Sequence, residues 1–283
     1  METRNYRVLT VFGIVPGEGT SRDGTVAASD DKLWMIRWAI TAWCDALAAV
    51  EQMPRVFGTA LIAIVAVNGV ALFVIPHGHR GIEFGPQVIG LIFGAVRALL
   101  LTPAAIAVHQ FVILQERTGS YRIDPGNPRT SSFFLCAVAV QAAVVIPVLL
   151  VELAPRSLGL SPGSAISLLI TVFVCWAQVT LRTLILFPAI AVDAPGAGWN
   201  NAVQDTKGQI WRMLLVVIIT SVPLFAVSLL EISVLGRPAQ PGAIAGVILL
   251  VLDGLGTIVM MAVYAALASR MFLGMADRLA EQA

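Results

Sequence analysis

Six apolar blocks, residues 56–76, 86–114, 132–152, 164–188, 211–235 and 243–273, decide what this chain can fold into. Each is long enough to cross a hydrocarbon layer about 30 Å thick, which takes about 20 helical residues. None alternates apolar with polar residues as a membrane barrel strand would. Backbone groups inside lipid must be paired within their own segment, so helix is the remaining choice. Composition agrees: 58% of the residues are hydrophobic and 12% charged, against about 25% charged in an average soluble domain. The sequence predicts an all-α polytopic membrane protein with six transmembrane helices over residues 56–273.

The cationic residues orient it. Arg80, Arg156 and Arg237 are the only Lys or Arg in the first, third and fifth loops, and Arg97 and Arg182 lie inside segments. The rest lie in the N-terminal stretch, the second and fourth loops and the C-terminal end. By the positive-inside rule both termini of this multi-pass protein face the cytoplasm. A net charge of +1 with no long basic run gives no reason to expect a nucleic-acid partner. Cys44, Cys136 and Cys175 are far apart and read as small buried hydrophobes.

Residues 1–31 are rich in Gly, Ser, Thr and Asp and read as a flexible tail. The run VLTVFGIV is short for a signal-peptide core, and Met35 opens a more typical start. Residues 32–55 predict an amphipathic helix lying in the membrane interface, with Arg37, Thr41, Asp45, Ala48 and Gln52 on one stripe and Ile36, Ile40, Trp43, Leu47 and Val50 on the other. It reads as an elbow into the first span at Pro54, or as a sensor or partner site. Residues 274–283 form a short C-terminal tail.

Two stretches match each other. Residues 97–108 read RALLLTPAAIAV and 182–192 read RTLILFPAIAV, with an Arg six residues before a Pro in both. They fall in segments two and four, which run in the same direction, so the repeated unit is a helix pair and the fold is expected to consist of helix-pair repeats. Pro103 and Pro188 are expected to mark where each helix kinks or leaves the membrane. An Arg six residues inside that point can snorkel its guanidinium toward water. Arg97 and Asp253 lie at similar depth and are expected either to pair or to leave Asp253, beside Gly254 and Gly256, bonded locally or facing water. Gly90, Gly94 and Ala98 offer a small-residue ridge for close helix approach.

The pieces PAAIAVHQFVILQE, 103–116, and LRTLILFPAIAVDAPGAGWNNAVQDTKGQIWRMLL, 181–215, resemble recurring blocks of poorly characterised bacterial six-helix inner-membrane proteins, similar to the membrane domain attached to some glycerophosphoryl diester phosphodiesterases. The resemblance covers most of 56–273. It implies a cytoplasmic Thr-x-Gly-x-x-Trp-Arg-like element, which here would be Thr206, Gly208, Trp211 and Arg212. The chain has no room for the soluble phosphodiesterase barrel, so the resemblance does not carry that activity over.

Little in the sequence promises catalysis. There is no GxSxG, HExxH or phosphate-binding glycine loop. His77, His79 and Glu83 are the nearest approach to a metal set, short of a fourth ligand, and no metal or other cofactor is expected. The intramembrane polar candidates are Arg97, Arg182 and Asp253. The cytoplasmic interface candidates are His109, Glu116, Lys207, Trp211 and Arg212, with basic members suited to anionic lipid headgroups. The resulting expectation is a non-enzymatic structural or interaction protein of envelope or lipid homeostasis, whose partner is the lipid bilayer. The alternative is a transporter or permease for a small or lipid-like substrate.

Overall fold

A computed structural model describes residues 27–74, 84–157, 161–235 and 243–280. All regular structure among them is helical: α1 (Ala27–Gln52), α2 (Pro54–Val74), α3 (Phe84–Leu114), α4 (Pro128–Ser157), α5 (Pro162–Ala191), α6 (Trp199–Asp205), α7 (Ile210–Leu235), α8 (Ala243–Met275) and α9 (Asp277–Ala280). Five stretches are long and apolar enough to cross a membrane, namely Pro54–Leu72, Val88–Leu114, Ile166–Ala191, Ile210–Val227 and Gly246–Met275. The protein is thus a helical, multi-pass membrane protein by length and composition. The expected third segment, 132–152, lies within α4. The His77, His79 and Glu83 set and most of the N-terminal tail lie outside the described residues.

Local chemistry sets the helix starts. Pro54, Pro128 and Pro162 open α2, α4 and α5, a position where the missing N–H costs nothing. Asn127 precedes Pro128 and its Oδ1 accepts from the Arg129 N–H at 2.9 Å, while Ser161 Oγ accepts from the Ser164 N–H at 3.3 Å. α5 ends in a Schellman turn. The N–H of Ala194 reaches Ala189 O, the N–H of Asp193 reaches Ile190 O, and Asp193 takes φ 52° between them.

Neither proline of the matched stretches marks the end of its helix. Both Pro103 and Pro188 are inside their helices. α3 runs on past Pro103 to Leu114, whereas α5 stops three residues after Pro188. The matched stretches therefore diverge at their ends: α3 keeps an apolar, buried run through Val112, and Asp193 caps α5 early.

α8 is the hub and packs against α1, α2, α3, α5 and α7. Its stretch Ala262–Phe272 is almost wholly buried and rich in alanine, which lets backbones approach. Gly254 brings α8 against Leu61 and Val65 of α2, and a Cβ there would lie 2.7 Å from Val65. The core occupies one end of the bundle. It joins the first half of α2, the second halves of α3, α5 and α8, and the start of α7 through Val56, Ile64, Val108, Ile185, Val216 and Leu267. Lipid tails are as apolar as these side chains, so close van der Waals fit and interhelical hydrogen bonds hold such a core.

In α1 the buried face is neither expected stripe. It is Ala39, Ala42, Ala46 and Ala49, buried between the two stripes and continued by Met53 just past the helix, while Ile36, Ile40 and Leu47 point outward. α1 lies against α7 and α8 as a packed member of the bundle. Cys44 and Cys175 are exposed on the helical surface, contrary to their expected burial, and Cys136 is half-buried.

Candidate functional site

α8 carries one side-chain tie to each of four neighbours. Arg270 holds Asp45 of α1 with two bonds, Nε to Oδ2 at 2.6 Å and Nη2 to Oδ1 at 2.9 Å. Asn68 of α2, buried at 3% exposure, donates its amide to Asp253 Oδ2 at 2.6 Å. His109 of α3 meets Ser269 Oγ at 2.8 Å, and Ser221 of α7 meets Tyr264 Oη at 2.7 Å. Ser269 also donates to Ala265 O at 2.9 Å. A hydroxyl has one proton, so with that proton committed His109 donates through Nδ1–H.

Asp253 therefore takes Asn68 as its partner, and no ion pair joins it to Arg97. The sequence put the two charges at one depth, but depth does not fix the direction in which a side chain leaves its helix. His109 is a second correction. Expected at the interface, it is fully buried, with its ring 5.7 Å from that of Phe133. The reason is that α3 continues through the stretch where it was expected to leave the membrane.

Arg97 and Arg182 are both half-buried, and the Nε of each is enclosed without a hydrogen-bond partner. Trp176 Nε1 and Thr180 Oγ1 of α5 share that condition. On α4, Gln141 leans over Gly94 of α3, where a Cβ would lie 2.5 Å from its Oε1. Of the Gly90, Gly94 and Ala98 ridge, Gly94 makes this close approach and Ala98 is buried, while Gly90 faces open space.

The loop candidates are surface groups. Glu116, Lys207, Trp211 and Arg212 are exposed, Trp211 at 73%, and Arg212 donates to Gln209 at 3.3 Å. In the same element Thr206 is buried, closing α6 through a bond to Ala202 O at 2.7 Å, and Gly208 sits at φ 80°, a conformation that favours glycine. Beside it, Asp205 receives the N–H groups of Arg278 and Leu279 at 3.3 and 3.0 Å, tying α9 to this loop. Arg129, in the first turn of α4, pairs with Asp193, just past the end of α5. Tyr121 donates its hydroxyl to Leu100 O at 2.6 Å, and burial raises its pKa above 10.0.

Sequence reasoning missed Asp45, Asn68, Tyr121, Gln141, Ser269 and Arg270 as members of tertiary contacts, and Trp176 and Thr180 as enclosed polar groups. For Asp45 and Arg270 a signal existed: each is a charge set among alanines at helical spacing, which marks a packed face rather than a solvated one. Among the described residues no group of three or more His, Cys, Asp or Glu is placed to hold a metal. Compared with family models, curated proteins and solved structures, the chain gave no significant match.

Proposed function

We propose that this chain is a six-span protein of a bacterial inner membrane, with both termini cytoplasmic, acting as a non-enzymatic structural or interaction protein in envelope or lipid homeostasis. α4 is the sixth span in this reading, since its 30 residues make about 45 Å of helix at 1.5 Å per residue. The distribution of Lys and Arg between alternate loops supports the orientation. The single observation that supports a structural role is the set of ties on α8. Asp45, Asn68, His109 and Ser221, polar groups on four different helices, each hold their helix to α8.

Transport is the second reading, favoured by the enclosed but unpartnered Nε of Arg97. Single cysteines placed along α3 and α8 and exposed to a membrane-impermeant maleimide separate the two. Under the structural reading, labelling stops at the helix ends. A continuous labelled stripe reaching Arg97 and Asp253 would replace it with transport.

A further inference from the structure

We propose that α3, α4 and α5 form an intramembrane binding site for the oxyanion headgroup of an anionic amphiphile, built from Arg97, Gln141, Trp176 and Thr180. The proposal rests on the membrane-spanning reading and adds to it a ligand class and a place.

The three helices are mutually packed, and their register follows from the described contacts. His109 lies against Phe133 while Gly94 lies against Gln141, so α3 and α4 run antiparallel. Phe133, near the start of α4, packs at a tilt against Phe187, near the end of α5, with ring centroids 4.9 Å apart, so α5 is antiparallel to α4 and parallel to α3. Measured from the Phe133 and Phe187 contact at 1.5 Å per residue, Gln141 lies about 12 Å along α4, and Thr180 and Trp176 about 11 and 17 Å along α5. Gln110 donates to Ala191 O at 3.3 Å and marks a common level on α3 and α5. Counted back from it, Arg97 lies about 20 Å away, between Thr180 at about 17 Å and Trp176 at about 23 Å. The four residues thus occupy one slab of the bundle.

Arg97, Trp176 and Thr180 each lie on or beside the face that their helix turns toward α4 and Gln141. Trp176 and Thr180 are one turn apart and on the stripe that continues to Phe187, which points at α4. Arg97 is one turn beyond Gly94, the residue that faces Gln141. Arg182, off this stripe, is not part of the site.

The chemistry of the set selects the ligand. Arg97 Nε and Trp176 Nε1 are donors only, Thr180 can donate, and all three of these atoms are enclosed without partners. Neither α3 nor α5 contains an Asp or Glu, and the nearest on α4 in sequence is Glu152, eleven residues past Gln141. Buried donors without acceptors are costly, and a group bearing several acceptor oxygens and negative charge relieves that cost for all of them together. Apolar Ile92, Val96 and Phe173 are exposed around the slab, which suits an acyl chain running from the bound headgroup.

The test uses the full chain purified in dodecyl maltoside. Its thermal unfolding midpoint is titrated with phosphatidylglycerol, with phosphatidylcholine and with inorganic phosphate. Phosphatidylglycerol is expected to raise the midpoint saturably, and Arg97→Gln and Thr180→Val are each expected to raise the half-saturating concentration about tenfold, as loss of a charge-assisted hydrogen bond implies. Arg97→Lys should recover part of the affinity. Stabilisation by inorganic phosphate with the same sensitivity to these variants would support the site with a free anion as its ligand. No rise with either anion, or wild-type titrations from the variants, would overturn the proposal. If Arg97→Gln does not fold, Thr180→Val and Trp176→Phe carry the same test. Reporter fusions read the topology separately, so a wrong span count and an empty site give different results.

Discussion

Arg270 grips Asp45 through two parallel nitrogen to oxygen contacts of 2.6 and 2.9 Å, and this joins the first described helix of the chain to the last long one. The two residues are 225 positions apart, so the contact closes the bundle on itself.

Breaking this pair should destabilise the protein, and exchanging its members should rescue it. Asp45→Asn or Arg270→Gln is expected to cost about 1–3 kcal/mol, less than a fully buried pair because both side chains keep some exposure. Arg270→Lys should recover only part, since an ammonium lacks the fork. Thermal unfolding in detergent of the single variants and of the double exchange Asp45→Arg with Arg270→Asp measures this. A double variant no more stable than the singles would show that the contact is incidental.

His109 is expected to matter for packing more than for charge. His109→Ala should cost about 2–4 kcal/mol by leaving a cavity beside Phe133, and Ser269→Ala about 1 kcal/mol by removing one hydrogen bond. The double variant should cost less than the sum, because both changes remove the same bond. Chemical denaturation of the four proteins forms the cycle.

The C-terminal end should come loose when Gly196 acquires a side chain. A Cβ there would run into the backbone carbonyl of Arg278 and lie 3.0 Å from that of Leu279. Neither backbone atom can swing away as a long side chain would. Gly196→Ala is expected to expose residues 277–280 to carboxypeptidase, and Asp205→Asn, which weakens the cap on the Arg278 and Leu279 amides, should do so more mildly. Gly208→Ala should cost about 1 kcal/mol through its positive φ, with no comparable change in digestion.

The loop after α3 should loosen in strong base. Burial raises the Tyr121 pKa above 10.0, so its contribution to stability is whole below the unfolded value and is lost as pH climbs through the folded one. Tyr121→Phe is expected to cost about 1 kcal/mol at neutral pH and to remove this alkaline component. Tyrosinate absorbance of wild type minus variant should show one phenol ionising later than ordinary tyrosine. A difference curve centred at or below the ordinary value would refute it.

Much of the membrane-crossing architecture was legible because it is written in runs of one kind of residue. The blocks at 56–76, 86–114, 164–188, 211–235 and 243–273 each coincide with a long apolar helix. The side-chain pairings were harder to read. Asp253 showed its depth in the sequence, but its partner depended on which face of α8 meets α2, a matter settled by Gly254 fitting under Leu61 and Val65. His109 was misplaced because Pro103 reads as a point where the helix kinks or leaves the membrane, yet a proline inside a packed helix is tolerated when neighbours satisfy the loosened backbone. The inner face of α1 escaped notice because alanine marks it, and alanine is the residue that patterns of polarity weigh least.

Those neighbours bear on how the molecule moves. Tyr121 bonds the carbonyl of Leu100, three residues before Pro103, and Trp43 bonds that of Thr220 at 3.1 Å, three residues before Pro223. Both acceptors lie in the turn whose own hydrogen bonding a proline interrupts. Any swivel of α3 or α7 about these points must first tear away a ring anchored elsewhere in the chain. Prolines that would ordinarily serve as joints are here set as fixed corners.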